Sequence, residues 1–312
     1  MRVGIIGTSW GRIHCGTFRA AGCEIAALAG QRLAEVESVA AEEGVQRATT
    51  DAAALRDCDI VVIASPTPTH LHYLRCFADK PVLCEKPVIG TAPEPGLFDG
   101  LGGTPKFVNY AFPFLDTARA LDGLLDDDRL GPVRRILLAV GVRFPLARTP
   151  AGWFIDVAVH PLSWLLHRFG EFHLAGFRVG QGDADVSVVL EQPGRQIDVA
   201  LYDLPSTGIR IDCQLVGERA LARLSGGYCP ERQWWFEPVL LEGEPVTEGE
   251  YSQTEDIWFR ANRRAVGQFC AVVRGESGRE DALARGSFDL EKAVGIERML
   301  APLLREEGVP TN

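Results

Sequence analysis

The chain has no apolar run near the roughly 20 residues that a bilayer-spanning helix requires, so no membrane partner is expected. It has no CxxC pair either. Its eight cysteines (15, 23, 58, 76, 84, 213, 229 and 270) mostly sit inside apolar segments such as Val82-Leu83-Cys84 and read as buried reduced thiols, with no metal site. A basic patch is also missing. The 32 basic residues comprise four lysines and 28 arginines scattered along a chain of formal net charge -10, which argues against nucleic acid as a partner. Met1-Arg2 leads straight into an apolar strand without a signal-type stretch, and a cytoplasmic protein is expected. No internal repeat or low-complexity tract is visible.

What is present is ample core material. With 312 residues, 46% hydrophobic and 24% charged, the chain can bury a large core and divides into two domains. Residues 2–7 form a continuous apolar run, as a central parallel strand covered on both faces requires. A helix over 11–21, a strand over 24–28 and a helix over 33–43 ending at Gly44 complete a βαβ unit. Further strands are expected at 59–64, 81–84 and 107–109, with a helix over 70–78. Beyond Pro132 the pattern changes to strands at 133–144, 172–179, 186–190, 197–201, 209–216 and 220–224. Helices are expected over 154–169, 254–273 and 290–305. The fold class is therefore α/β: an N-terminal Rossmann, doubly wound parallel sheet, then a C-terminal α+β domain with a large, mostly antiparallel open sheet. The domains are placed at 1–115 and 116–312, with the C-terminal helices free to pack back on the first. Runs such as Ile136-Leu137-Leu138-Ala139-Val140 are apolar on both sides of their strand. An uncovered apolar sheet face points to a homodimer or homotetramer through that sheet.

Residues with chemistry gather at the expected carboxyl ends of the parallel strands. Gly7-Thr8-Ser9-Trp10-Gly11, followed by Arg12-Ile13, is a glycine turn between a strand and a helix, the setting of a phosphate cradle. It is G-x-x-x-G, one residue shorter than G-x-G-x-x-G, with Ser9 where a second glycine is usual; a plain βα turn is the alternative. At the end of the second strand, Ala29-Gly30-Gln31-Arg32 offers no carboxylate for a ribose 2′-hydroxyl but an arginine for a 2′-phosphate. NADP(H) is therefore favoured, with NAD(H) as the alternative; a solvated Arg32 is the bland reading. Ser65, Pro66 and Thr67 form the turn after the 59–64 strand, and His70 opens a helix where it either contacts cofactor phosphate or packs structurally. Cys84-Glu85-Lys86-Pro87 ends another strand. Pro87 restricts the backbone of Lys86, whose ammonium can polarise a carbonyl or donate a proton; a surface loop lysine is the alternative. Asp156 and His160, four apart on one helix, suit a general acid or base with its orienting carboxylate, although such spacing also occurs as a structural pair. Trp153, Trp164, Trp234 and Trp235 read as core or interface aromatics.

These segments resemble the glucose-fructose oxidoreductase, inositol dehydrogenase and rhizopine catabolism (Gfo/Idh/MocA) family. The matching residues are Val3 to His14, Ser65 to His70, Val82 to Pro87, Asn109 to Pro113, and Asp156-Val157-Ala158-Val159-His160. The resemblance covers the first 170 residues. It implies that Lys86 binds and polarises the reacting oxygen, that His160 is the general acid or base, and that Asp156 orients substrate or His160. Glu85 and Asn109 join the cofactor-binding set, and hydride passes between nicotinamide and a small-molecule substrate: a sugar, cyclitol or related secondary metabolite. Ala111 stands where many members carry an arginine. The short turn and the ribose segment also resemble thiazolinyl imine reductases, which implies C=N reduction as an alternative, but those enzymes tend to carry a histidine at the position of Lys86. A cofactor-sensing regulator or scaffold is the third reading; such members tend to lose the lysine or histidine that this chain keeps.

Overall fold

The computed structural model describes residues 1–101, 103–146, 148–251 and 255–306. They form two compact units. The first contains Met1–Tyr110 and Asn262–Arg298; the second contains Ala111–Ala261 and the described residues from Met299 on. The chain thus passes between units at 110/111, against the expected 115/116.

In the first unit the strands β1 (Arg2–Ile6), β2 (Glu24–Ala29), β3 (Ala48–Thr49), β4 (Ile60–Ile63), β5 (Val82–Glu85) and β6 (Lys106–Asn109) lie parallel. Their spatial order is 6-5-4-1-2-3, so chain direction across the sheet reverses between β1 and β4. A ligand crevice opens at such a switch point, beyond the strands' carboxyl ends. The helices α1 (Trp10–Ala20), α2 (Leu33–Glu42) and α3 (His70–Cys76) supply the crossovers. Between β5 and β6 no helix forms among the described residues of 86–105, where Gly90, Pro93, Pro95, Gly96 and Gly100 break any helical run.

Val3, Ile5, Leu28, Ile60, Val62, Leu83 and Phe107 build one buried core with Phe18 of α1 and Phe269 and Cys270 of a later helix. That continuous burial explains why these strands read as unbroken apolar runs. Of the cysteines, 15, 23, 58, 84, 213 and 270 are buried, while 76 and 229 are half-buried.

The second unit opens with α4 (Asp116–Asp126), which the sequence reading did not anticipate. Three aspartates and Gly123 give this segment low helix propensity. Thr117, Ala118, Leu121 and Leu124, spaced for one face, are nevertheless buried, and packing wins over propensity. The strand β7 (Val133–Arg143), the helices α5 (Pro150–Trp153) and α6 (Val159–Phe169), and the strands β8 (His173–Val179), β9 (Val186–Gln192), β10 (Arg195–Asp203), β11 (Gly208–Gly217) and β12 (Leu221–Cys229) follow. The short strands β13 (Gln233–Phe236), β14 (Leu240–Leu241) and β15 (Glu244–Pro245) complete a nine-stranded sheet. The sheet is antiparallel except for the pairing of β7 with β10.

Register settles the sheet faces. Ile136, Leu138 and Val140 are 0–1% exposed. Leu137 and Ala139 turn to the other face, opposite Asp198, Gln214 and Asp212. That face also carries the Arg135–Asp198 pair at 2.7 Å and an Arg223–Asp212 pair. The second face is therefore mixed: Leu137, Ala139, Val189, Ala200 and the exposed Tyr202 lie there, interleaved with those charges.

The chain then enters α7 (Ile257–Val273), α8 (Arg279–Ala284), β16 (Phe288–Asp289), α9 (Leu290–Met299) and α10 (Ala301–Glu306). The expected start of the first helix, Thr254, lies outside the described residues. The single helix expected over 290–305 is instead two, α9 and α10. β16 adds an antiparallel edge to β6.

Candidate active site

In the first unit the glycine turn is built by two strand ends. The Gly7 N–H donates to the Ala29 carbonyl at 2.8 Å, and the Ala64 N–H donates to that of Ile6 at 2.8 Å. Gly7 has φ +116°, and a Cβ there would lie 2.1 Å from the Ala64 carbonyl oxygen. Only glycine fits that approach. Thr8 and the exposed Ser9 lead into α1. Ser9 makes no side-chain cap hydrogen bond, and the first turn contains no acidic residue. An eleven-residue helix with uncapped N-terminal amides attracts an anion, through its N–H groups and its dipole. These residues fit the pyrophosphate of a dinucleotide despite Ser9. Trp10 is exposed, Ile13 half-buried, and Arg12 pairs with Glu42 at 2.5 Å on the surface.

The ribose corner differs from its sequence reading in one respect. Gln31 is exposed, and Arg32, at the N-cap of α2, has a side chain 81% exposed. The fold brings to it a carboxylate that the 29–32 segment lacks: Glu35 accepts hydrogen bonds from both Thr8 Oγ1 and Arg32. Those two bonds hold the Glu35 carboxyl below its ordinary range. The only sequence signal was its i,i+3 spacing from Arg32.

Lys86 is half-buried, just past the carboxyl end of β5, and the residues around it are fixed. Glu85 before it is buried. Its Oε1 accepts from His14 Nε2 at 2.7 Å and from Asn109 Nδ2 at 2.8 Å, and Asn109 donates in turn to Asn262 Oδ1 at 2.7 Å. Burial pushes the Glu85 carboxyl up, but His14, Asn109 and the charge of Lys86 outweigh it, and the group stays ionised below the usual range. Glu85 and Asn109, expected as cofactor contacts, thus spend their side chains on this buried network. His70 is 1% exposed, with Nδ1 2.9 Å from the Pro87 carbonyl and Nε2 2.7 Å from that of Ser65. Burial lowers its pKa, so the neutral ring gives its one N–H to one of these carbonyls. Both nitrogens face the backbone, and the packing alternative for His70 is the one the geometry carries. Ser65 Oγ meets Thr69 Oγ1 at 2.6 Å in the same turn, with Pro66 exposed and Thr67 half-buried.

In the second unit, a π-helical turn over Phe154–Ala158 joins α5 to α6, and the Val159 N–H donates to the Phe154 carbonyl. Such single-turn widenings recur at functional sites. Asp156 lies within this turn, half-buried, 3.2 Å from Arg148. His160 is half-buried one turn on, and its ring meets that of Trp258 edge-on at 5.0 Å. Trp258 stacks on Trp234 at 4.5 Å and 13°. The rings continue through Tyr228, Phe144 and Trp153, each 5.7–6.2 Å from the last. Trp153, Trp164 and Trp235 are buried, as core aromatics should be, whereas Trp234 is half-buried in this wall. Nothing in the local sequence tied residue 258 to residue 160; only the tertiary fold does.

The first unit is that of a nicotinamide-dinucleotide-binding protein: a doubly wound sheet, an open helix N-terminus after a glycine turn, and a lysine beyond β5. A family model described as an oxidoreductase family with an NAD-binding Rossmann fold matches residues 1–94. Inositol 2-dehydrogenase 1 of Mycolicibacterium vanbaalenii is 30% identical over 226 residues, which is 62% of this chain and 64% of that protein's length. The dTDP-3,4-didehydro-2,6-dideoxy-alpha-D-glucose 3-reductase of Saccharopolyspora spinosa is 24% identical over 310 residues, 92% of this chain and 91% of the relative. An oxidoreductase from Agrobacterium radiobacter, solved with NAD+, L-tartaric acid and magnesium, has the same fold. Its TM-score is 0.75 at 16% identity, covering 99% of this chain and 97% of that one. Over its first 94 residues this chain is thus similar to the Gfo/Idh/MocA oxidoreductases.

Proposed function

We propose that this protein reduces a carbonyl carbon of a sugar, cyclitol or nucleotide-linked sugar, with NADP(H) as the favoured cofactor. The observation that carries this reading is Lys86, one of only four lysines, leaving β5 between a Glu85 fixed by His14 and Asn109 and a Pro87 whose carbonyl lies against His70. A lysine so flanked has a defined position, as a group that must meet one substrate oxygen requires. The bound nicotinamide supplies the hydride. Lys86 stabilises the negative charge that grows on the substrate oxygen, and His160 delivers the proton that turns it into a hydroxyl. Asp156, beside Arg148, orients the substrate or the imidazole. The two curated relatives, one named for an inositol and one for a deoxysugar nucleotide, support this substrate class. The aromatic wall beside His160 supports a second reading, reduction of a C=N bond in a planar ring.

The cofactor assignment turns on Arg32, whose side chain pairs with the half-buried Glu35. A 2′-phosphate offers it a doubly charged, geometrically matched acceptor instead. Arg32→Ala is expected to weaken NADPH binding about tenfold or more, on the scale of a lost charge-assisted pair, and to leave NADH unchanged. Titration of tryptophan fluorescence with each cofactor reads both affinities. Unchanged discrimination removes the ribose argument. The same titration on the native protein, followed by NADPH oxidation with an inosose, a keto-sugar nucleotide and a cyclic imine, tests the whole reading. Failure to bind either cofactor would move the regulator or scaffold reading to the front.

A further inference from the structure

Glu297 of α9 is a buried carboxylate that the proposed chemistry does not use. Its side chain carries 0% exposure, and it lies more than 200 residues beyond the segment that it grips. Oε1 accepts from the backbone N–H of Val88. Oε2 accepts from the N–H groups of Ile89 at 3.1 Å and Gly90 at 3.0 Å. Three successive amides on one carboxylate form an anion nest, occupied by the protein's own side chain. The nest begins two residues after Lys86.

We infer that Glu297 is a positioning residue for Lys86. The residues flanking the lysine are each held: Glu85 by His14 and Asn109, Pro87 against the buried His70 ring, 2.9 Å from its carbonyl, and Val88 to Gly90 by Glu297. The loop over 86–105 has no helix among its described residues to stiffen it, so these tethers do that work. Without Glu297 the three amides lose their acceptor, and a buried N–H without a partner drives its segment toward water. The lysine at the start of that segment moves with it.

Burial raises the carboxyl of Glu297 to about 7, against the opposing pull of the three amides. The titratable groups acting on the same region are Cys84 and Glu85 of β5 and Tyr110 just after β6. On its own helix the residues three and four positions before it, Val294 and Ala293, are apolar. The tether is charged above that pH. Below it, a proton occupies one oxygen and the nest loosens.

This inference rests on the reading of Lys86 as the group at the reacting centre, but its test is independent of turnover. With four lysines, reductive ¹³C-methylation of the intact protein gives four resolvable side-chain signals, and Lys86→Arg assigns one of them. The Lys86 signal is expected to show an inflection near pH 7 in the native protein. Glu297→Gln should abolish that inflection, and Glu297→Leu should move the signal toward that of free dimethyl-lysine, with Lys106 and Lys292 unmoved. A Lys86 signal identical in all three proteins overturns the inference. So does an equal shift at Lys106 and Lys292, which would mean that Glu297 props up the unit as a whole. If Glu297→Leu does not fold, the pH inflection in Glu297→Gln decides alone. A Lys86→Ala protein that still turns over would sink the catalytic reading and leave the tether standing.

Discussion

Lys86→Ala is expected to cut turnover by about 10²–10⁴-fold, the range for a lost proton donor or oxyanion partner, while NADPH still binds within about twofold. The asymmetry follows from placement. The pyrophosphate site lies at the Gly7–Gly11 turn and the open end of α1, whereas Lys86 stands beyond β5, two strands from β1 in the sheet order. The contacts of His14, Asn109, His70 and Glu297 with the residues on either side of Lys86 remain in the variant, although Glu85 loses the lysine charge that helps to keep it ionised. Two measurements decide: the fluorescence titration with NADPH, and the steady-state rate with the best substrate of the panel. A variant that loses cofactor affinity and rate in equal measure contradicts the role at the reacting centre.

Gly7→Ala is expected to cost about 3–5 kcal/mol of stability, the upper end for a single substitution, and to abolish dinucleotide binding. Two penalties combine. At φ +116° an L side chain is strained whatever the space around it, and the new Cβ would lie 2.1 Å from the Ala64 carbonyl oxygen and 2.4 Å from its carbon. Ala64 cannot retreat, since its own N–H is bonded to Ile6 and β4 is paired along the length of β1. Gly44, with φ +66° and nothing within 4 Å of an added methyl, provides the control. Gly44→Ala carries only the left-handed penalty of about 1–2 kcal/mol. Thermal unfolding of both variants separates the effects, at roughly 2–4 °C of Tm per kcal/mol for a protein somewhat smaller than this. Equal losses at the two positions would refute the close approach at Gly7.

The sheet of the first unit was legible because its strands are buried on both faces and so appear as unbroken apolar runs between glycine and proline breaks. Lys86, Asp156 and His160 were legible as residue types at strand and helix ends. α4 was not, since its aspartates and glycine hide a face that only packing rewards. Nor was the second face of the large sheet: an apolar pentapeptide says nothing about which of its residues turn toward Asp198 and Gln214.

By itself the sequence determined the doubly wound first unit, the strand-rich second unit and the resemblance to an oxidoreductase family, because apolar periodicity, glycine turns and short motifs are local in the chain. The tertiary structure alone decided that Glu35 meets Thr8, that His70 faces two backbone carbonyls, that Trp258 and Trp234 flank His160, and that Glu297 holds the segment after Lys86. Most of these contacts join groups tens to hundreds of residues apart. Hydrogen bonds and burial act through space, and their partners leave no spacing in the sequence from which to read them.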